Sequence, residues 1–136
     1  MRELHRWTAA LEATGLELRR LARGEYEPVP WDQLRDSLMS ASAVVLFGFR
    51  QLCVHEGTWR PGTGEERAID QARWTTPWMH IEAGMAIARG LPLLVVAEAG
   101  VAEGVFNPDA WGSSVFGASL DRDPSHVTVA QWRSAF

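Results

Sequence analysis

The residue best placed to do chemistry is Glu82, in the stretch TTPWMHIEAGMAIARG from Thr75 to Gly90. Trp78 precedes it by four residues, Met85 follows by three, and Ala83, Gly84, Ala86 and Ala88 keep the surroundings small. A carboxylate held against an indole and a thioether is poorly hydrated, so its pKa tends upward and a nearby positive charge is strongly felt. That suits a group that faces a substrate on which positive charge develops. The competing reading is an acid on a helix margin that pairs with an Arg or points to water. Two further charges stand where a sheet would deliver them: Arg50 directly follows the apolar run AVVLFGF (43–49), and Glu98 stands near the end of LPLLVVAEA (91–99). Arg50 has the planar fork that grips a phosphate with two hydrogen bonds, and Glu98 is an acceptor for a ribose hydroxyl. Trp59 and Trp74, in the segment between, offer flat faces for a base. The plainer readings are a surface Arg, a solvated turn acid, and tryptophans that pin a loop.

The elements that must position these groups are legible from pattern. Thr76 is a candidate N-cap with Pro77 at the first helical position, and Gly90 fits just past the helix end. At 3.6 residues per turn, Trp78, Ile81, Met85 and Ala88 form the stripe expected to face a sheet, with Glu82 on its margin and His80 on the opposite, solvated side. The runs at 43–49 and 91–99 are continuous and apolar, as strands covered on both faces are, and 113–120 is a further strand candidate. Helices are predicted over 2–14, about 30–40, and at the C-terminus around Val129, Trp132 and Phe136. A strand is predicted over 16–22, a loop over 23–30, and a long loop without periodicity over 50–75, expected to lie over the ligand-binding edge.

Helices alternating with doubly buried strands predict an α/β fold, one domain over residues 1–136, with a mainly parallel sheet between helix layers. In such sheets ligands bind at the carboxyl ends of the strands, where a helix following a strand begins. Glu82, Arg50 and Glu98 are therefore expected to converge on that edge. The chain opens on a helix, so either the first, central strand of such a sheet is absent or the sheet is built differently.

Composition removes several classes of function. The 136 residues carry a net charge of −4, and all 13 basic residues are Arg. Without Lys there is no Walker P-loop, no pyridoxal Schiff base and no Ser-Lys dyad. Scattered arginines and net negative charge argue against a nucleic-acid partner. The single Cys53 allows no internal disulfide and suits a reducing cytoplasm. Cys53 and His55 have no zinc-site spacing, GTGEER (62–67) lacks the last glycine of a dinucleotide fingerprint, and GSSVF (112–116) lacks the second glycine of a nucleophile elbow. No metal or resident cofactor is expected. No apolar run reaches membrane-spanning length.

Trp78-x-x-x-Glu82 on a helix after a strand resembles the TIR domain, which carries Trp-Cys-x-x-Glu there, with a catalytic Glu in its NAD-cleaving members. Glu82-Ala-Gly-Met-Ala86 followed by Gly90-Leu-Pro92 also resembles the nucleoside 2-deoxyribosyltransferases, with their Glu-x-Gly-x-Ala and Gly-Lys-Pro run and a Glu nucleophile. The resemblance covers about residues 42–105. Met79 stands for the TIR Cys, Leu91 for the Lys, and 50–75 is longer than in TIR domains. It implies a flavodoxin-like three-layer sandwich and cleavage or transfer at an N-glycosidic bond of a nucleoside, nucleotide or NAD. Glu82 would be the catalytic group, with Trp78, Arg50, Glu98, Trp59 and Trp74 as substrate contacts and NAD a substrate rather than a cofactor. The alternative is a non-catalytic nucleotide-signal sensor or TIR-like interaction module, with homo-oligomerisation open in either case.

Overall fold

The computed structural model describes residues 1–20, 30–125 and 127–136. In chain order the elements are α1 (Arg2–Ala13), α2 (Pro30–Ser40), β1 (Val44–Gly48), β2 (Leu52–Trp59), β3 (Arg67–Trp74), α3 (Pro77–Ala88), β4 (Leu93–Ala97), β5 (Val115–Ser119) and α4 (Val127–Ser134), with short 3-10 turns at Gly104–Phe106 and Pro108–Ala110.

The apolar runs become the sheet. β1 and β5 both pair parallel to β4, giving the order β1-β4-β5 with Val44 opposite Leu93 and Leu93 opposite Val115. β4 is the centre, and Leu93, Leu94, Val95 and Val96 are almost wholly buried. Successive side chains alternate between two cores. Leu94 and Val96 join Trp7 and Leu11 of α1, and Val129 and Trp132 of α4, with Val45 and Phe47 of β1 against them. Leu93 and Val95 join Leu46, Ala83 of α3, Val101 and Phe106, with Met79 against them. The protein is thus a mixed α/β structure with a parallel three-stranded sheet between helices.

Two polar anchors fix the first core. The Trp7 indole N–H donates to the Leu120 carbonyl at 2.9 Å and that of Trp132 to the Pro92 carbonyl at 3.1 Å, so each large buried ring also satisfies its own donor. Arg6 adds a hydrogen bond to Leu120 O at 2.9 Å and another to Arg122 O at 3.0 Å. These contacts set the N-terminal half of α1 at the carboxyl end of β5.

Three expectations are corrected. The segment 50–75 is not an irregular loop: β2 and β3 form an antiparallel hairpin, from Leu52 opposite Trp74 to Trp59 opposite Arg67. The predicted strand 16–22 has no ladder over its described part, residues 16–20, because among the described residues no strand pairs with it; residues 21–22 and most of the predicted loop 23–30 lie outside the described residues. The sheet-facing side of α3 is Met79, Ala83 and Ala86 rather than Trp78, Ile81, Met85 and Ala88; Ile81 is 37% exposed. α3 is apolar nearly all round, so periodicity alone did not fix its orientation, and its small Ala83 and Ala86 are the residues it buries. The rotation turns His80 away from solvent. Its ring stands edge-on to Phe106 with centroids 5.9 Å apart, and its Nε2 lies 3.3 Å from the Glu103 carbonyl.

Candidate active site at the carboxyl edge

Arg50 and Glu98 meet. The backbone N–H of Glu98 donates to the Gly48 carbonyl at 2.9 Å, which sets the acid beside the end of β1. One carboxylate oxygen accepts from the Arg50 backbone N–H at 2.8 Å, and the other lies 3.8 Å from the guanidinium. The Arg50 side chain is 43% exposed and that of Glu98 33%. The pair reads as a partly solvated clasp across the ends of β1 and β4, with guanidinium donors left over for an anion.

The same edge is where the hairpin leaves and returns. Gln51 N–H donates to the Trp74 carbonyl at 2.8 Å, closing its base, and Arg73 reaches the Ala99 carbonyl at 2.9 Å. Trp74 is therefore at the root of the hairpin, near the strand ends. Trp59 is at the far end, seven residues up the ladder or roughly 23 Å, where the Arg67 guanidinium lies 5.7 Å from its ring centroid. Of the two expected base-stacking tryptophans, only Trp74 stands by the edge.

α3 begins at this edge, from Thr76 as N-cap with Pro77 in the first turn. Glu82 is half-buried. On helical geometry it lies one turn beyond Met79 and Trp78, on the flank opposite His80. Trp78 meets Trp31 of α2, the ring centroids 4.9 Å apart and tilted by 37°, so this flank of α3 is the one turned toward α2.

A large concavity of about 810 Å³ runs along the unpaired side of β1. Leu11 and Trp132 wall one face, Leu38 and Met79 the other, and residues 16–20 form the far side. Its carboxyl end is marked by Gln51, Thr75 and Thr76. None of Glu82, Trp78, Arg50, Glu98, Trp59 and Trp74 lines it, yet Gln51, Thr75 and Met79 are chain neighbours of Arg50, Trp74 and Trp78.

Pattern reading missed Glu103. One of its carboxylate oxygens accepts from the backbone N–H of Thr75 at 2.9 Å and faces the Thr75 hydroxyl at 3.2 Å. It thus places negative charge just before α3, where the helix dipole favours it. The other oxygen is buried without a hydrogen-bond partner among the described residues. Glu103 is 28 residues from Thr75 in sequence, and nothing in AEAGVAEGVF marks it for this position; only the Gly100 turn hints that the chain doubles back.

Among the described residues no three of His, Cys, Asp and Glu gather to hold a metal ion, and no helix is long and apolar enough to cross a membrane. Set against protein families, curated proteins and solved structures, the chain matches none.

Proposed function

We propose that the protein cleaves or transfers at the N-glycosidic bond of a nucleoside, nucleotide or NAD, on a flavodoxin-like sheet, with Glu82 as the catalytic carboxylate. The observation that carries this reading is the placement of a half-buried acid just inside a helix that starts at the carboxyl edge, one turn from a residue, Met79, that lines the large concavity. In the reaction the bond from the anomeric carbon to the base nitrogen breaks and its electron pair leaves with the base, which takes up a proton. The ribosyl carbon becomes cation-like. Glu82 stabilises that charge or attacks it, and water or a second base completes the exchange, as the carboxylates of glycosidases do. Trp78 holds the sugar or base against α3, Arg50 and Glu98 address a phosphate and ribose hydroxyls, and Trp74 closes over the base. Trp59, at the hairpin tip, reaches a substrate only if the hairpin bends down.

The test is incubation of wild type and Glu82→Gln with NAD and with a panel of nucleosides and deoxynucleosides, following free nicotinamide or base. Gln keeps the shape but not the charge, so turnover is expected to fall by ~10²-fold or more, about 2.7 kcal/mol of transition-state stabilisation. Equal turnover would move the chemistry to another residue.

A second reading, a non-catalytic nucleotide sensor or interaction module, draws on the hairpin. Both its faces are largely exposed and it presents Leu52 and Trp59, 50% and 39% exposed. Saturable binding of a nucleotide by an inert wild type would favour that reading over the enzyme.

A further inference from the structure

We infer that the outward face of α3 is a dimer interface, on which α3 of a second copy of this chain packs antiparallel about a two-fold axis. The inference stands on packing alone. Glu82 lies off the contacting stripe, so it is independent of the glycosidic reading.

The residues that α3 leaves exposed are Pro77, Ile81, Gly84, Ile87 and Ala88, and none of them has a polar side chain. Ile81 is 37% exposed and Ile87 46%. The face that packs on the sheet, Met79, Ala83 and Ala86, lies on the other side of the helix. The outer face of a surface helix is ordinarily charged and polar, and a helix apolar on every side is ordinarily enclosed. α3 is apolar on every side and keeps one of them in water. A contiguous exposed apolar stripe of this kind marks a contact surface.

The spacing specifies a helix as the occupant. Pro77, Ile81, Gly84 and Ala88 recur at intervals of four, three and four. At 3.6 residues per turn they fall within an arc of roughly 60°, the narrow seam through which two helices interlock. Gly84 then says how close the partner comes. Its φ is not positive, so no turn demands glycine there. It stands inside a helix, where glycine costs stability relative to alanine, and a Cβ on it would meet nothing within 4 Å. The packing of a single chain gives no reason for this glycine. A large side chain seated on it from outside does.

The seam matches itself, which identifies the helix as a second α3. Read backward, four-three-four is the same spacing, so a copy laid antiparallel presents the same stripe. Overlapping the two helices end to end sets Pro77 against Ala88 of the copy, and it sets Ile81 over Gly84 of the copy. Each chain thus supplies the largest knob and the deepest hole of the seam, matched twice by the two-fold. The surroundings continue the contact. Arg89 donates to the Met39 carbonyl at 3.2 Å, so Met39, 54% exposed, stands by the end of α3. Trp31, 50% exposed, meets Trp78 at its start. The two-fold brings the Met39 end of one copy to the Trp31 end of the other, and no charge on the seam is buried unpaired. The interface is small, so the association is expected to be of micromolar strength.

The experiment is sedimentation equilibrium of the whole chain from ~1 to ~200 µM, with a thiol reductant present so that the exposed Cys53 forms no disulfide. Wild type is expected to dimerise with a dissociation constant of ~10 µM. Gly84→Leu fills the hole without touching its own chain, and Ile81→Asp puts a charge into the seam. Each is expected to raise the constant by ~10²-fold or more, with helix content and the exchange protection of β4 unchanged. Exchanging knob and hole tests the register. Ile81→Gly and Gly84→Ile alone should each weaken the dimer by ~10-fold or more, and the double variant should return to within ~3-fold of wild type. Wild type that stays monomeric across the range overturns the inference. A dimer indifferent to Gly84→Leu and Ile81→Asp also overturns it, since the contact would lie on another surface. A double variant as weak as the single ones overturns it too, because Ile81 would not then sit over Gly84 of the copy.

Discussion

At the scale of single residues, two acids stand at the carboxyl edge and a third lies further along α3, each in different surroundings. Glu98 is clasped by Arg50, Glu103 is bonded to the start of α3, and Glu82 stands on the flank of α3 turned toward α2. The Arg50–Glu98 pair is partly hydrated, so its coupling should be small whatever its geometry. A double-mutant cycle with Arg50→Ala and Glu98→Ala, read by urea unfolding, is expected to give about 0.2–1 kcal/mol; a coupling above 2 would mean that the pair is sealed from water. Glu103→Ala removes the acceptor of Thr75 N–H and is expected to lower stability by about 1 kcal/mol, in the range of a lost helix cap. A neutral result would show that water replaces the carboxylate there. The sequence announced Arg50 and Glu98 because each follows an apolar run, and chain adjacency to a strand fixes position. It did not announce Glu103, since an acid that reaches a helix start from a distant loop leaves no spacing to read.

Elements were legible where burial is two-sided or one-sided and obscure elsewhere. β1, β4 and β5 fall within the predicted runs because a doubly covered strand must be apolar throughout. The hairpin escaped because neither of its faces is well buried, so its residues show no alternation, and Pro61, Gly62 and Gly64 made the turn look like part of a long loop. α3 was placed correctly but rotated, because an all-round apolar helix has no stripe to orient it. The hairpin is tied to the body chiefly at its root, by Gln51 to Trp74 and Arg73 to Ala99. Replacing residues 52–73 by a Gly-Asn-Gly turn is therefore expected to leave the sheet folded, with a thermal midpoint within a few degrees of wild type and unchanged exchange protection in β4. Loss of cooperative unfolding would show that the hairpin props up the edge. By contrast, Gly48 and Gly117 admit no side chain, since a Cβ there would run into the Phe106 and Trp111 rings. Gly48→Ala should destabilise by about 1–3 kcal/mol through overpacking, whereas Gly64→Ala, with open space around it, should leave stability within about 0.5 kcal/mol.

For the molecule as a whole, the asymmetry of the sheet governs what holds it together. β4 has a partner on each side, whereas β1 and β5 each have one among the described residues, so stability centres on β4 and on the helix cluster that packs against it and also walls the concavity. Trp7 and Trp132 carry much of it, since both are essentially buried, both donate to backbone carbonyls, and both touch the central strand's cluster. Trp7→Ala is expected to cost about 3–5 kcal/mol, a large share of the ~5–15 kcal/mol of a domain this size. It also removes the only indole joining α1 to the carboxyl end of β5, so α1 should lose exchange protection before the strands do. Trp132→Ala should cost a similar amount without that early loss in α1, because α1 keeps its Leu120 anchor. The two losses should fall short of additive in the double variant, as expected for residues of one cluster. Urea unfolding of the three variants, with exchange followed separately in α1 and β4, measures all of this. Full additivity, or loss of less than about 1 kcal/mol in Trp7→Ala, would mean that α1 is a loosely held flap over the concavity rather than one of its fixed walls.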